Sequence, residues 1–262
     1  MTHAHVVHPF CVSITGADDA VRIEDLVALS RAYPFVEWAL LYLPEKAGKP
    51  RNPTSDWRWE FAAARKAHGL RTALHLCCNE TFWTLLMHRE GKGFIDELQQ
   101  YDRVQVNINA RAKVFSPREI VTVYETLWAY QKSLILQRHD GSAKAIDRFL
   151  ATLPKSWLAM PERVSVLLDA SRGMGLAPES WAAPVTVDVT PLDTGYAGGI
   201  SPENIEAVLE ATEAAVREHG QPCARYWLDM ESGVRTDNQF DLAKVERVLE
   251  AVARRSPTLI AA

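Results

Sequence analysis

The chain has 262 residues, 47% of them hydrophobic, and a formal net charge of -4; its isoelectric point is about 6.1. This length falls in the range of one α/β barrel domain, and the apolar share is enough to bury a sizeable core. The acidic balance, the scattered Lys and Arg and the lack of any apolar run near the ~18 residues of a bilayer span exclude nucleic acid and membrane as expected partners.

Taken in chain order, the segment holding His3, His5 and His8 lacks the charged and apolar stretches of a secretory leader. Short apolar runs then alternate with amphipathic stretches. Strands are predicted over Phe10–Thr15, Phe35–Leu43, Leu70–Cys77, Arg103–Ile108, Ser133–Gln137, Val164–Asp169, Thr194–Gly198 and Ala224–Asp229. Helices are predicted over Arg22–Ala32, Ser55–His68, Pro117–Tyr130, Ala143–Leu153, Ser201–Glu218 and Phe240–Arg254, with Ser201 as an N-cap before Pro202 and Glu203. The stretch of about 176–192 is irregular, and Pro184–Val189 inside it reads as an extra strand or an insertion. Eight strands joined by helices and short connections predict a single (β/α)8 TIM barrel over the whole chain; an open doubly wound sheet is the other arrangement with this alternation. Cys11, Cys77, Cys78 and Cys223 form neither a disulfide framework nor a metal clip, so reduced thiols and a cytoplasmic location are expected.

Barrel geometry makes the C-terminal strand ends the place to look for chemistry. Those ends carry Thr15-Gly16, Tyr42, Cys77-Cys78-Asn79, Asn107-Ile108-Asn109, Gln137-Arg138-His139, Asp169, Ala197-Gly198-Gly199 and Asp229-Met230-Glu231, which are more polar than the strand interiors. Gly198 and Gly199 allow close backbone approach, and the helix start after them offers free N–H groups to an anion. Ser232-Gly233 ends the next strand with a second small-residue turn and a hydroxyl. In a barrel the seventh and eighth loops are neighbours and jointly make a phosphate pocket, so a phosphorylated small molecule is the expected partner.

Ala197-Gly198-Gly199-Ile200-Ser201-Pro202-Glu203-Asn204-Ile205 resembles the seventh-strand motif of the phosphoribosylanthranilate isomerase family, the barrel enzymes of tryptophan biosynthesis. Asp229-Met230-Glu231-Ser232-Gly233-Val234, followed by Asp241 and Lys244, resembles the family's eighth-strand pattern. Leu168-Asp169-Ala170-Ser171-Arg172-Gly173-Met174-Gly175 resembles its sixth-strand aspartate and glycine-rich loop, and Pro50-Arg51 its second-strand dipeptide. Ser13-Ile14-Thr15-Gly16 stands where the family has Lys-Ile-Cys-Gly.

The resemblance implies an isomerase of an aminated, phosphorylated ribose. Asp169 would be the acid that protonates the ring oxygen, and Arg51, Arg172, Gly173, Gly175, Gly198, Gly199, Ser232 and Gly233 would hold the ligand. The family's base is the first-strand cysteine, and Thr15 stands in its place here; a thiol can be tuned to a thiolate, an aliphatic hydroxyl cannot. Glu231 on the eighth strand is the expected replacement base, with His75 or Cys77 as alternatives. Glu231 also sets a negative charge beside the expected phosphate, for which Arg172 or Arg235 would have to compensate. No cofactor and no metal are expected, because His75, His139, Asp169 and Glu231 lack a metal-binding spacing. The alternatives are a phosphate-binding lyase or epimerase and a non-catalytic binder of phosphorylated ligands, in each case as a monomer or homodimer.

Overall fold

A computed structural model describes residues 8–77, 92–107, 116–130, 133–154, 163–169, 175–218 and 225–260. Its frame is eight parallel strands: β1 (Cys11–Thr15), β2 (Val36–Tyr42), β3 (Arg71–Cys77), β4 (Arg103–Asn107), β5 (Leu134–Arg138), β6 (Val164–Asp169), β7 (Asp193–Ala197) and β8 (Tyr226–Met230). They close in the order β1-β8-β7-β6-β5-β4-β3-β2, a TIM barrel, so the open-sheet alternative falls away. Among the described residues the helices that accompany them are α1 (Ile23–Ala32), α2 (Ser55–His68), α3 (Lys92–Leu98), α4 (Pro117–Tyr130), α5 (Ala143–Thr152), α6 (Ile205–Glu218) and α7 (Leu242–Arg255).

Local chemistry starts and stops these elements. Thr54 caps α2 by accepting from Trp57 N at 3.3 Å, and Gly69 ends it in the left-handed conformation, φ 68°. Ser116 and Glu119 satisfy each other's backbone N–H groups at the head of α4, a capping box. The head of α6 differs from the sequence expectation. Ser201 Oγ accepts from Glu203 N at 3.3 Å as an N-cap would, but Ser201 N donates to Asn204 Oδ1 at 2.8 Å and Asn204 Nδ2 to Gly199 O at 2.8 Å, so a closed turn precedes a helix beginning at Ile205. The irregular stretch before β7 contains a short antiparallel ribbon, Thr186–Val187 against Thr190–Pro191. It is an insertion outside the barrel.

Alternation along each strand separates two environments. Trp38, Leu40, Leu74, Val104, Leu136, Val166 and Tyr196 point outward and are sealed by the helices in one large apolar core. Inside the barrel a small cluster of Cys11, Ile135, Leu167 and Trp227 fills the N-terminal end. Gly195 makes room for it, since a Cβ there would stand 2.3 Å from the Trp227 ring. Much of the rest of the interior is polar. Ser13, Glu37, His75 and Gln105 are all buried there, and Glu37 pairs with Arg103 at 2.6 Å while Ser13 donates to Glu37. Burial works against the Glu37 charge, but the charge and hydrogen bonds of Arg103 outweigh it and hold the carboxyl below the usual range. Arg103 in turn lies over the Trp227 ring at 4.5 Å. Strand interiors thus carry charge as well as the strand ends: alternation turns Glu37 and Arg103 inward, where each compensates the other.

Candidate functional site

Three strand ends set out the pocket. Asp169 at the end of β6 and Asp229 in β8 both pair in register with Ala197 of β7. The two aspartates thus stand level on either side of Ala197, with Cα atoms about 10 Å apart at two strand spacings. Both are buried, and both line one pocket of about 90 Å3 at the C-terminal mouth of the barrel, which Thr15, Glu231, Ser232 and the glycines of the neighbouring loops also line.

Thr15 Oγ1 donates to Asp229 Oδ1 at 2.7 Å, spanning from β1 to β8. Burial pushes the Asp229 carboxyl up to about 7, and the nearby carboxylates of Glu231, Glu37 and Asp169 push the same way against the Thr15 hydrogen bond. Asp169 is oriented by Gln137, whose Nε2 donates to Oδ2 at 2.8 Å. Burial also drives His75 down to about 3, a neutral imidazole too weakly basic to hold a proton taken from carbon, and Cys77 up to about 12, a thiol and not the thiolate that would act as base.

Glu231 lines the pocket and pairs with Arg51, Nη1 to Oε1 at 2.5 Å; the same nitrogen reaches Ser232 Oγ at 3.2 Å. Arg51 is itself held in place. Its backbone takes φ 76°, its N donates to Asp18 Oδ2 at 2.6 Å, and its Nε to Asn238 Oδ1 at 2.9 Å. Arg235, one of the two arginines expected to offset Glu231, makes no direct pair with it, although the two opposite charges still act on each other. Buried beneath the first loop, it donates to Gly16 O at 2.6 Å and pairs with Asp18 at 3.1 Å. Among the described residues the cation paired directly with Glu231 is Arg51.

Gly175, Gly198, Gly199, Ser232 and Gly233 all line the pocket. The glycines serve the loops first. A Cβ on Gly233 would stand 1.9 Å from Ile200 O, one on Gly199 2.4 Å from Ala177 N, and one on Gly198 2.7 Å from Leu176 O. The loops after β6, β7 and β8 therefore pack backbone against backbone, and Gly198 and Gly199 also hold φ of 124° and 60°. A short 3-10 turn, Ser232–Val234, follows β8 in this cluster. Arg172 and Gly173, expected in the ligand site, lie outside the described residues, as do Cys78, Asn79, Asn109 and Cys223.

Sequence reasoning named Asp229 as part of a motif but gave it no role. The signal was there: residues 227, 229 and 231 share one face of a strand, so an aspartate two before a mouth glutamate points into the barrel. His139 lies apart from the pocket lining, its Nδ1 accepting from Gly141 N at 3.0 Å. Among the described residues no group of three or more His, Cys, Asp or Glu is arranged to hold a metal ion, and no helix is long and apolar enough to cross a membrane.

No protein-family model matches the chain, and no curated protein matches it by sequence. Solved structures match by fold. A family 39 glycoside hydrolase from Bacteroides cellulosilyticus WH2 is 12% identical with a TM-score of 0.52, covering 96% of this chain and 64% of its own. N-(5'-phosphoribosyl)anthranilate isomerase from Pyrococcus furiosus is 14% identical with a TM-score of 0.49, covering 94% of this chain and 99% of its own. The YdjI aldolase from Escherichia coli K12 is 11% identical with a TM-score of 0.46, covering 96% and 90%. At 12% identity the glycoside hydrolase likeness speaks to the barrel fold alone.

Proposed function

We propose that this chain is an isomerase of a phosphorylated sugar derivative in which a carboxylate of β8 replaces the first-strand thiol of the phosphoribosylanthranilate isomerase family. The observation that carries the reading is the pair Asp169 and Asp229, level across Ala197 and opening into the pocket rimmed by the Gly198-Gly199 and Ser232-Gly233 turns. Asp169 protonates the ring oxygen as the C1–O bond breaks and the lone pair of the C1 amine forms C1=N. Asp229 then takes the proton from C2, whose C–H electrons form C1=C2 and return the nitrogen pair, and the resulting enol loses its O2 proton as C1 gains one, which gives the ketone. A carboxylate near 7 is the strongest carboxylate base still substantially ionised at neutral pH, which suits removal of a carbon-bound proton. In this reading Thr15 is a positioning residue that aims Asp229, and the base role first expected of Glu231 passes to its neighbour on the strand. Glu231 holds Arg51 over the rim.

The test is turnover of aminated and keto phosphosugars by the purified protein, with rescue of a tryptophan auxotroph lacking the isomerase as the assay for the family's own substrate. Asp169→Ala and Asp229→Asn should each lower kcat by about 100- to 10,000-fold. The wild-type rate should rise with pH through about 7, and Thr15→Val, which removes a hydrogen bond to the ionised form of Asp229, should move that rise to higher pH. Binding without turnover of any phosphosugar would instead make the chain a non-catalytic binder.

A further inference from the structure

The strand order puts β4 directly across the barrel from β8, and β3 across from β7. A ligand anchored at the Gly198-Gly199 and Ser232-Gly233 turns therefore presents its far end to β3 and β4. There the pocket is lined by His75, Gln105 and Asn107, with Gln137 of β5 beside them. His75 and Gln105 are register partners on neighbouring strands. Gln105 Nε2 donates to Asn107 Oδ1 at 2.8 Å and stands 3.4 Å from His75 Nδ1. Its other atom, Oε1, has no hydrogen-bond partner although the residue is 2% exposed. A buried carbonyl left unmatched is a standing penalty, removed when a ligand brings an O–H or N–H donor. The neutral His75, with Nδ1 turned to the Gln105 amide, keeps its Nε2–H as a donor, so this wall carries both hydrogen-bonding senses. An aromatic ring placed here would leave Gln105 Oε1 unpaired.

We infer that the end of the substrate remote from the phosphate is a hydroxyl-bearing chain, one hydroxyl of which donates to Gln105 Oε1, and not an aromatic ring. The inference deepens the proposed function and rests on its placement of the phosphate at β7 and β8. Calorimetric titration of the intact protein with ribose 5-phosphate, phenyl phosphate, inorganic phosphate and ribitol tests it. Ribose 5-phosphate should bind at least about tenfold more tightly than phenyl phosphate, the scale of one matched buried hydrogen bond. Gln105→Leu should erase most of that advantage and leave phenyl phosphate within about twofold of its wild-type affinity, again by the hydrogen bond's worth. Phenyl phosphate binding as well as ribose 5-phosphate, or equal weakening of both by Gln105→Leu, overturns the inference. Should that variant not fold, the wild-type ratio of the two esters decides alone. Inorganic phosphate binding with no gain from the ribose removes this inference and keeps the anchor. Ribitol binding that depends on Gln105, with no phosphate binding, removes the anchor and overturns the inference with it, leaving only a hydroxyl contact at Gln105. If none of the probes binds, both fall.

Discussion

At the scale of single residues, the Asp229 carboxyl is the most perturbed acid in the mouth, and its environment explains why. It is buried, three carboxylates surround it, and the Thr15 hydroxyl donates to it. Stability should follow. The folded chain keeps the Asp229 proton up to about 7, whereas an unfolded chain releases it near the ordinary 3.8. A raised carboxyl pKa means the folded state binds more protons between these values, so its contribution falls as pH rises from about 4 to 7. Asp229→Asn, which cannot ionise, should lack that fall. The variant should gain on wild type by up to about 4 kcal/mol between pH 4 and pH 8, read from urea unfolding at each pH. A constant difference across the range would mean that the carboxyl is not held protonated.

At the scale of elements, the interior of the barrel depends on side chains from strands distant in sequence. Glu37 of β2 and Arg103 of β4 meet across β3, with Ser13 of β1 donating to the same carboxylate. Both charges are out of water, so neither is tolerable alone. Glu37→Gln should destabilise the fold by about 3–5 kcal/mol, because it strands a buried guanidinium. The double variant Glu37→Gln with Arg103→Met should recover part of that loss, and a denaturant double-mutant cycle reads the coupling directly. Strictly additive losses would show that the pair contributes nothing as a pair.

At the scale of the whole molecule, the loops after β6, β7 and β8 close on one another backbone to backbone, while β3 and β4 supply the opposite wall. A ligand seated between them touches groups that are brought together only in the folded barrel. It should therefore raise the melting temperature by mass action: at one hundred times its Kd the stabilisation is about 2.7 kcal/mol, or roughly 5–10 °C for a chain of this size. Differential scanning fluorimetry with sugar phosphates checks this, and a flat response to all of them would remove the phosphate pocket.

Much of this arrangement was legible beforehand. Alternating apolar runs and amphipathic stretches located all eight barrel strands to within a residue or two, because period-2 burial and helix amphipathicity are local properties. The same reading put Thr15, Asp169, Glu231, Ser232 and the Gly198-Gly199 turn at strand ends, and the structure brings them to one pocket. What local pattern could not supply was the partner of each polar group. That Thr15 answers Asp229, that Arg51 pairs with Glu231, and that Glu37 answers Arg103 are contacts between residues 66 to 214 positions apart, brought together by the closed barrel. The glycines show the same division. Their small size was visible in the sequence, but only the packed loops reveal that Gly199 and Gly233 are required by Ala177 and Ile200, because a forbidden Cβ is defined by the neighbour it would strike.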